Sequence, residues 1–159
     1  MFLCGFMGSG KSEIVKKINN KSIFSTSDLD MLIEKKHGKI ETIFKEYGES
    51  FFRSIEKDVF FENYKKFNLL ALGGGSIDDN EIYDYILNSK KGIYLEESFD
   101  ILWSRISDSS RPLVQNGKKY VKDRFENRRH RFEKLHFRIS SSNIDSNVRR
   151  VINLLNNDN

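Results

Sequence analysis

The amino-acid sequence predicts an α/β fold in which a parallel sheet carries helices on both faces. Short apolar runs alternate with longer segments of helical periodicity, which is the pattern of strands joined by crossover helices. A glycine-rich segment that fits a phosphate-binding loop follows the first apolar run directly. The chain has 159 residues, one proline and no internal repeat, so we expect residues 1–159 to form a single domain.

Five apolar runs are too short for helices and are predicted to be strands: MFLC, SIFST, NLLAL, GIYLE and FRISS. The predicted helices are KSEIVKKINN, DLDMLIEKKHG through FFRSIEKDVFFENYKKF, DNEIYDYILNSK, SFDILWSRIS, KKYVKDRFENRRHRFEKLHFR and SNVRRVINLLNN. In sheets of this kind, binding sites gather at the carboxyl ends of the strands. Residues that carry chemistry are therefore expected just after the apolar runs.

The composition excludes several classes of protein. With 38% hydrophobic and 31% charged residues, we expect a soluble globular chain with no membrane-spanning segment and no export signal. The lone Cys4 gives neither a disulfide framework nor a zinc-ligand spacing, and a buried, reduced thiol in a cytosolic protein is expected. The net charge of +4 comes largely from a basic segment that interleaves acids and aromatics, so we expect a solvated helix face and no nucleic-acid partner.

The segment GFMGSGKS fits the pattern G-x-x-x-x-G-K-[ST] through Gly5, Gly10, Lys11 and Ser12. Glycines let backbone N–H groups surround an anion, Lys11 reaches the outer phosphates, and Ser12 can ligate Mg²⁺. The predicted nucleotide-binding residues here are Gly8, Ser9, Gly10, Lys11, Ser12 and Glu13. The side chain of Glu13, in the first helical turn, is expected to point outward.

Two acids follow the second apolar run, Asp28 and Asp30. On residue types alone, a helix N-cap with a first-turn acid is the better interpretation. Beside a phosphate loop a second interpretation gains weight, because a Mg²⁺–nucleotide site needs a nearby acid and an acceptor hydroxyl needs a hydrogen-bond acceptor.

Further segments follow in a fixed order: FFRSIE, GGG, SRPL and RRHRF. Together with GFMGSGKS and DLD, this ordered set resembles the shikimate kinase family over nearly the whole chain, from Gly5 to about Ile139. The resemblance implies a P-loop fold of the nucleoside-monophosphate-kinase type, with a central five-stranded parallel sheet and a small lid at about residues 107–119. It further implies a cytosolic, Mg²⁺-dependent, monomeric enzyme that transfers the γ-phosphoryl group of ATP to the 3-hydroxyl of shikimate, in the chorismate route to aromatic amino acids.

The resemblance also implies roles for particular residues. Asp30 would hold the acceptor hydroxyls. Asp28 would support the Mg²⁺ shell with Ser12. Arg53 would grip the shikimate carboxylate, which a guanidinium can bind with two parallel hydrogen bonds. Glu56, three residues further along the same helical face, would orient Arg53.

The remaining roles fall on later segments. Arg111 would be the lid arginine that contacts the phosphates, and with Lys11 and Asp30 it completes the implied catalytic set. Arg128 would be a second arginine on the carboxylate, with Arg129 and Arg131 as neighbouring alternatives. Arg105 either stacks on adenine or is an ordinary surface arginine.

The run of Gly73, Gly74 and Gly75 has two interpretations as well. Composition favours a flexible turn, whereas its position after the third apolar run favours a bare backbone wall beside the transferred phosphate. The resemblance makes Gly74 a shikimate contact, so Gly74→Ala is expected to impair shikimate use more than ATP binding.

Other functions remain as alternatives: a gluconate-type or nucleoside monophosphate kinase, and a nucleotide-binding switch. Two arginines with an aspartate suit a polyhydroxy acid, whereas a nucleotide acceptor would need contacts that read its base and further contacts to its phosphate; a comparison of acceptors separates these kinases. A nucleotide-binding switch would have no use for Arg53, Gly74 and Arg128 converging on a second pocket.

Overall fold

The computed structural model describes residues 1–21, 24–109, 112–140 and 143–158. Within these ranges five parallel strands form one sheet in the order β2-β3-β1-β4-β5. The strands are β1 (Phe2–Cys4), β2 (Thr26–Asp28), β3 (Leu69–Ala71), β4 (Gly92–Glu96) and β5 (Phe137–Ser140). Leu3 in the central strand lies opposite Ala71 of β3 and Ile93 of β4. The predicted five-stranded parallel sheet is confirmed.

Helices cover both faces of this sheet, as predicted. The described helices are α1 (Lys11–Asn19), α2 (Leu29–His37), α3 (Ile40–Asn63), α4 (Asn80–Ser89), α5 (Phe99–Ile106), α6 (Gly117–Phe132) and α7 (Ile144–Asn157). Helices α1 and α7 pack on the face that carries Leu3, and α2 to α6 pack on the face that carries Phe2 and Cys4. Alternating side chains of one strand thus enter two separate apolar cores.

The second strand differs from its prediction. It was expected in SIFST, residues 22–26, but it begins at Thr26 and ends at Asp28. Its position is set by the ladder with β3, in which Thr26 pairs with Leu69 and Asp28 pairs with Ala71. Asp28 is therefore the last residue of the strand rather than a residue beyond it. Ser22 and Ile23 lie outside the described residues.

Helix α3 begins earlier than the motif FFRSIE and is interrupted at Gly48. The φ of Gly48 is +82° and its ψ is 174°, a conformation that L side chains rarely adopt. The interruption separates a short segment that starts at Ile40 from the long segment that carries Arg53. Glu49 thus stands at the beginning of the second segment.

The basic stretch forms helix α6, which has one solvent-exposed face and one buried face. Val121, Phe125, Arg128 and Phe132 are buried and follow one another at intervals of four, three and four residues. The lysines and acids between them are largely exposed, which agrees with the predicted solvated face. Arg128, however, is only 2% exposed, which its residue type alone would not predict.

Two further predictions concern the burial of Cys4 and membrane-spanning helices. Cys4 is 2% exposed in the apolar core, so its predicted burial is confirmed. Burial raises the pKa of its thiol to about 12, although the charge of Lys11 opposes this. Among the described helices, none combines the length and the apolar character needed to span a bilayer.

Candidate active site

The phosphate loop joins β1 to α1 and encloses the ammonium group of Lys11. Lys11 Nζ donates to the carbonyl oxygens of Gly5 at 2.8 Å and Phe6 at 3.0 Å, and to Ser9 Oγ at 3.3 Å. Gly10, with a φ of +96°, precedes α1 and offers no side chain to cap its first N–H groups. The loop therefore presents uncapped donors, the positive end of α1 and a lysine at one point, which suits a bound phosphate.

Asp28 has two partners, one for each carboxylate oxygen. Ser12 Oγ donates to Asp28 Oδ2 at 2.5 Å, and the Asp30 amide donates to Asp28 Oδ1 at 2.9 Å. The second contact makes Asp28 the N-cap of α2, and the first attaches it to the phosphate loop. The predicted N-cap interpretation is therefore confirmed, and the contact with Ser12 sets the same carboxylate beside the phosphate loop, where its role toward Mg²⁺ stays a prediction.

Oxygen donors beside a phosphate loop are the ligands that Mg²⁺ prefers. The Ser12 hydroxyl and the Asp28 carboxylate supply two such donors side by side. Within the described parts of the chain, no group of three His, Cys, Asp or Glu side chains forms a cage for a metal ion. This donor set fits an ion that takes its other ligands from nucleotide phosphates and water.

Two cavities meet at the carboxyl edge of the sheet. The phosphate cavity, of about 190 Å³, is bounded by Gly8, Gly10, Lys11, Ser12 and Asp28. The acceptor cavity, of about 120 Å³, is bounded by Phe44, Phe52, Arg53, Glu56, Leu113 and Arg128. Both cavities are also lined by Met7, Asp30, Gly73 and Gly74. A group bound in one cavity therefore lies next to a group bound in the other.

Arg128 brings an incompletely paired charge to the acceptor cavity. Its Nε and Nη2 donate to the carboxylate of Asp78 at 2.6 to 3.1 Å, and the guanidinium lies over the Phe6 ring. Its Nη1 is buried and has no hydrogen-bond partner among the residues that the structure describes. Because an unpaired buried donor costs about 1–3 kcal/mol, the cavity is suited to an anionic ligand.

Arg53 enters the same cavity from α3, and its predicted pairing with Glu56 is present. Arg53 Nη1 donates to Glu56 Oε2 at 2.5 Å, and Ser76 Oγ donates to Glu56 Oε1 at 2.5 Å. Burial lowers the pKa of Arg53, but the carboxylates of Glu56 and Glu49 outweigh burial and raise the pKa above its ordinary value. Arg53 is thus a fixed, permanently charged guanidinium.

The three consecutive glycines approach three different neighbours. A Cβ on Gly73 would lie 2.7 Å from Glu56 Oε1 and 3.0 Å from Asp30 Oδ1. A Cβ on Gly74 would lie 2.8 Å from the backbone nitrogen of Met7 in the phosphate loop. A Cβ on Gly75 would overlap the guanidinium of Arg53. The run is a wall packed on both sides rather than a flexible turn.

The contact of Gly74 with the phosphate loop changes the effect expected of Gly74→Ala. The sequence indicated that Gly74→Ala would act on shikimate use more than on ATP binding. Since its missing side chain faces the phosphate loop itself, the substitution is expected to disturb both cavities.

The other candidate residues are placed as follows. Arg105 Nη1 donates to the carbonyl of Gly8 at 3.1 Å, next to the phosphate cavity, while Nη2 donates to Glu97 at 3.3 Å. The side chain of Glu13 is exposed, as predicted. Arg111, the predicted lid arginine, lies outside the described residues, as does Ser110.

The structure separates the three arginines of RRHRF. Arg128 is buried and lines the acceptor cavity. Arg129 is exposed and pairs with Glu133 at 2.9 Å. Arg131 donates to the carbonyl of Ile77 at 2.7 Å and lies over the ring of Tyr83, away from the cavity. Only the position in the helix turn distinguishes Arg128, because the residue type is the same at all three.

Sequence reasoning missed the apolar wall of the acceptor cavity. Phe44 and Phe52 are in contact, with ring centroids 4.7 Å apart and ring planes tilted by 38°, and Leu113 also lines the cavity. Nothing in the local pattern separates such residues from ordinary core residues. A larger cavity of about 630 Å³ lies between α5 and α6, and it is lined by neither the phosphate loop nor the three glycines. Size alone therefore does not mark the site.

Comparisons with known proteins agree with this geometry. The family model described as shikimate kinase matches residues 7–156. A shikimate kinase of Staphylococcus aureus (strain MRSA252) is 33% identical over 159 residues, which cover 98% of this chain and 91% of that protein. The structure of shikimate kinase from Acinetobacter baumannii in complex with shikimate matches with a TM-score of 0.87 and 27% identity, covering 99% of this chain and 92% of that one.

A more distant likeness is limited to the fold. A gluconokinase from Sinorhizobium meliloti 1021 matches with a TM-score of 0.61 at 15% identity, over 98% of this chain and 90% of that one. The family model and the Staphylococcus aureus relative, in contrast, each match nearly the entire chain. The chain therefore belongs to the shikimate kinase family, the ATP-dependent kinases that phosphorylate a hydroxyl of shikimate.

Proposed function

We propose that the chain transfers the γ-phosphoryl group of ATP to the 3-hydroxyl of shikimate where the two cavities meet. The single observation that carries this proposal is their common lining by Asp30, Gly73 and Gly74. A terminal phosphate in one cavity and a hydroxyl in the other would be neighbours across that lining. Holding two reactants in this way supplies much of the rate enhancement that positioning can give.

On the nucleotide side, the N–H groups from Gly8 to Glu13 would surround the phosphates, and the ammonium group of Lys11 would bind the terminal phosphate. In this structure Lys11 donates to loop carbonyls, which a phosphate oxygen would replace as its partner. Arg105 would contact the nucleotide beside Gly8, and Arg111 would contact the phosphates from the lid at about residues 107–119.

Ser12 and Asp28 would hold Mg²⁺ together with the nucleotide phosphates. The bound ion would offset the negative charge of the transferred group. Asp28 keeps the Ser12 hydroxyl in place through the 2.5 Å hydrogen bond.

On the acceptor side, Arg53 and Arg128 would bind the carboxylate of shikimate. The free Nη1 of Arg128 supplies one buried donor for it. The carboxylate of Asp30 would accept a hydrogen bond from an acceptor hydroxyl, while Gly74 brings backbone close to the reacting groups without a side chain between them.

In the reaction, the acceptor oxygen forms a bond to the γ-phosphorus as the bond to the β,γ-bridging oxygen breaks, giving shikimate 3-phosphate and ADP. The hydroxyl proton is released. Phe44, Phe52 and Leu113 would surround the carbon ring and keep water from competing for the phosphoryl group.

The test is ADP release coupled to an indicator, measured with Mg²⁺–ATP and each of three acceptors: shikimate, gluconate and a nucleoside monophosphate. Of the three acceptors, we expect only shikimate to support ADP release. Turnover with gluconate instead would favour the gluconate-type alternative, and folded protein that releases no ADP with any acceptor would contradict a kinase role.

Binding of shikimate and of nucleotide, measured separately, tests whether the acceptor cavity is the shikimate site. Arg53→Ala is expected to abolish saturable shikimate binding while leaving nucleotide binding intact. Unchanged shikimate binding in this variant would remove Arg53 from the acceptor site.

The quaternary state and the setting belong to this proposal as well. Because one chain lines both cavities, we propose that it acts as a monomer. We further propose that it works in the cytosol. We propose no nucleic-acid partner, because the basic stretch that forms α6 interleaves acids and aromatics with its lysines and arginines. Light scattering at assay concentration should give a mass near 18.7 kDa.

A further inference from the structure

Arg124 lies on α6, one helical turn before Arg128, and does not line the acceptor cavity. All three of its guanidinium nitrogens are used. Nη1 and Nη2 donate to the two carboxylate oxygens of Glu49, each at 3.0 Å. Nε and Nη2 also donate to the hydroxyl of Tyr120, at 3.1 and 2.7 Å. The guanidinium is therefore held in one orientation by a two-pronged ion pair and a hydroxyl.

Glu49 shares its carboxylate between two arginines. Its Oε1, which accepts from Arg124, also accepts from Arg53 Nη2 at 3.2 Å. Burial raises the pKa of Glu49, but its hydrogen bonds and charge contacts with Arg124 and Arg53 outweigh burial, and the pKa lies below its ordinary value. Glu49 therefore stays negatively charged at neutral pH.

These contacts continue to the glycine run. Arg53 is bound on its other side by Glu56, and Glu56 accepts from Ser76, the residue directly after Gly75. A chain of charge-assisted hydrogen bonds thus runs from α6 through α3 to the turn that borders the acceptor cavity. Within this chain Arg53 and Glu56 line the cavity, whereas Arg124 and Glu49 do not.

We propose that Arg124 is a positioning residue, which neutralises Glu49 and so leaves the Arg53 guanidinium available to the carboxylate of the acceptor. Without Arg124, the full charge of Glu49 would act on Arg53 alone. It would compete with the acceptor carboxylate for the same guanidinium and repel that carboxylate as it enters. This inference rests on the proposed function, since it assigns a role in binding the shikimate carboxylate.

The test compares Arg124→Leu with the double variant Arg124→Leu/Glu49→Gln. We expect Arg124→Leu to raise KM for shikimate about tenfold while KM for ATP changes less than about twofold, because a close charge pair is lost on the acceptor side only. Removing the charge of Glu49 in the double variant should restore most of the loss. Arg124→Lys keeps the charge but not the two-pronged geometry, so its KM for shikimate should lie between those of Arg124→Leu and the double variant.

Rescue separates positioning from a purely structural role, since a second deletion would only weaken a structural link further. The matched control is Arg129→Leu, which removes an arginine of the same helix that pairs with Glu133 at the surface, and it should leave both KM values unchanged. If Arg124→Leu folds poorly, Arg124→Lys is compared with the double variant instead. KM for shikimate should then be higher in Arg124→Lys than in the double variant.

Two outcomes would overturn the inference. One is an unchanged KM for shikimate in Arg124→Leu, and the other is a raised KM that Glu49→Gln does not relieve. Both differ from a failure of the proposed function, which would appear as missing shikimate-dependent turnover in the unchanged chain and would remove the basis of this inference as well.

Discussion

Ser12 Oγ donates to Asp28 Oδ2 across 2.5 Å, joining the start of α1 to the end of β2. The pair holds a hydroxyl and a carboxylate beside the phosphate cavity, where Mg²⁺ needs oxygen ligands. Asp28→Asn keeps an oxygen that can cap α2 but removes the charge. We expect kcat to fall by about 100-fold or more and the Mg²⁺ concentration for half-maximal rate to rise.

The measurement is the ADP-release rate at saturating substrates as Mg²⁺ is varied, with thermal melting as the control for folding. Since the cap survives, the melting temperature should change little. A variant with normal kcat and normal Mg²⁺ dependence would show that Asp28 only caps the helix.

Glu56 is 1% exposed and joins Arg53 to Ser76, so its removal leaves buried polar groups without partners. We expect Glu56→Ala to lower the free energy of unfolding by about 3 kcal/mol and to weaken shikimate binding. Denaturant unfolding and calorimetric titration with shikimate measure the two effects.

The matched control is Glu62→Ala, on the same helix as Glu56, which breaks a half-exposed ion pair with Lys36 of α2. Exposed pairs contribute about 0–1 kcal/mol, so this loss should be small. Equal losses in the two variants would mean that the burial of Glu56 is of no consequence for stability.

The glycine run should respond position by position. Gly75→Ala places a Cβ 2.7 Å from Cζ of Arg53, so we expect KM for shikimate to rise while nucleotide binding stays normal. Gly74→Ala places its Cβ against the backbone of Met7, which cannot rotate away, so both substrates should bind more weakly. Steady-state KM values for ATP and shikimate in the two variants make the comparison. A Gly74→Ala variant with a raised KM for shikimate and a normal KM for ATP would restore the sequence-based prediction, in which shikimate use is impaired more than ATP binding.

The thiol of Cys4 should be chemically inert in the folded chain. Burial raises its pKa from 9.0 to about 12, so the thiolate fraction at pH 8 falls about a thousandfold. The rate of reaction with a disulfide reagent such as 5,5′-dithiobis(2-nitrobenzoate) should be lower by at least about that factor in native protein than in guanidinium. Similar rates in the two states would indicate that Cys4 is reached without unfolding.

The phosphate loop and the sheet were predictable because their signals are local. A loop that surrounds phosphate needs glycines, a lysine and a hydroxyl at fixed spacing between one strand and one helix, and all of them lie within Gly5 to Ser12. The boundary of β2 was not predictable in the same way, since Thr26 to Asp28 become a strand by pairing with Leu69 to Ala71. A ladder between segments about forty residues apart leaves no trace in either segment alone.

The amino-acid sequence by itself determined the fold class, the phosphate loop and the set of charged residues available to the acceptor site. Only the tertiary structure decided which of three neighbouring arginines enters the acceptor cavity, and that Gly74 faces the phosphate loop. It also decided that Glu49 joins Arg53 to Arg124, a residue 75 positions further along the chain. The reason is physical: local spacing fixes backbone conformation, whereas the partner of a charged side chain depends on which distant helix packs against it.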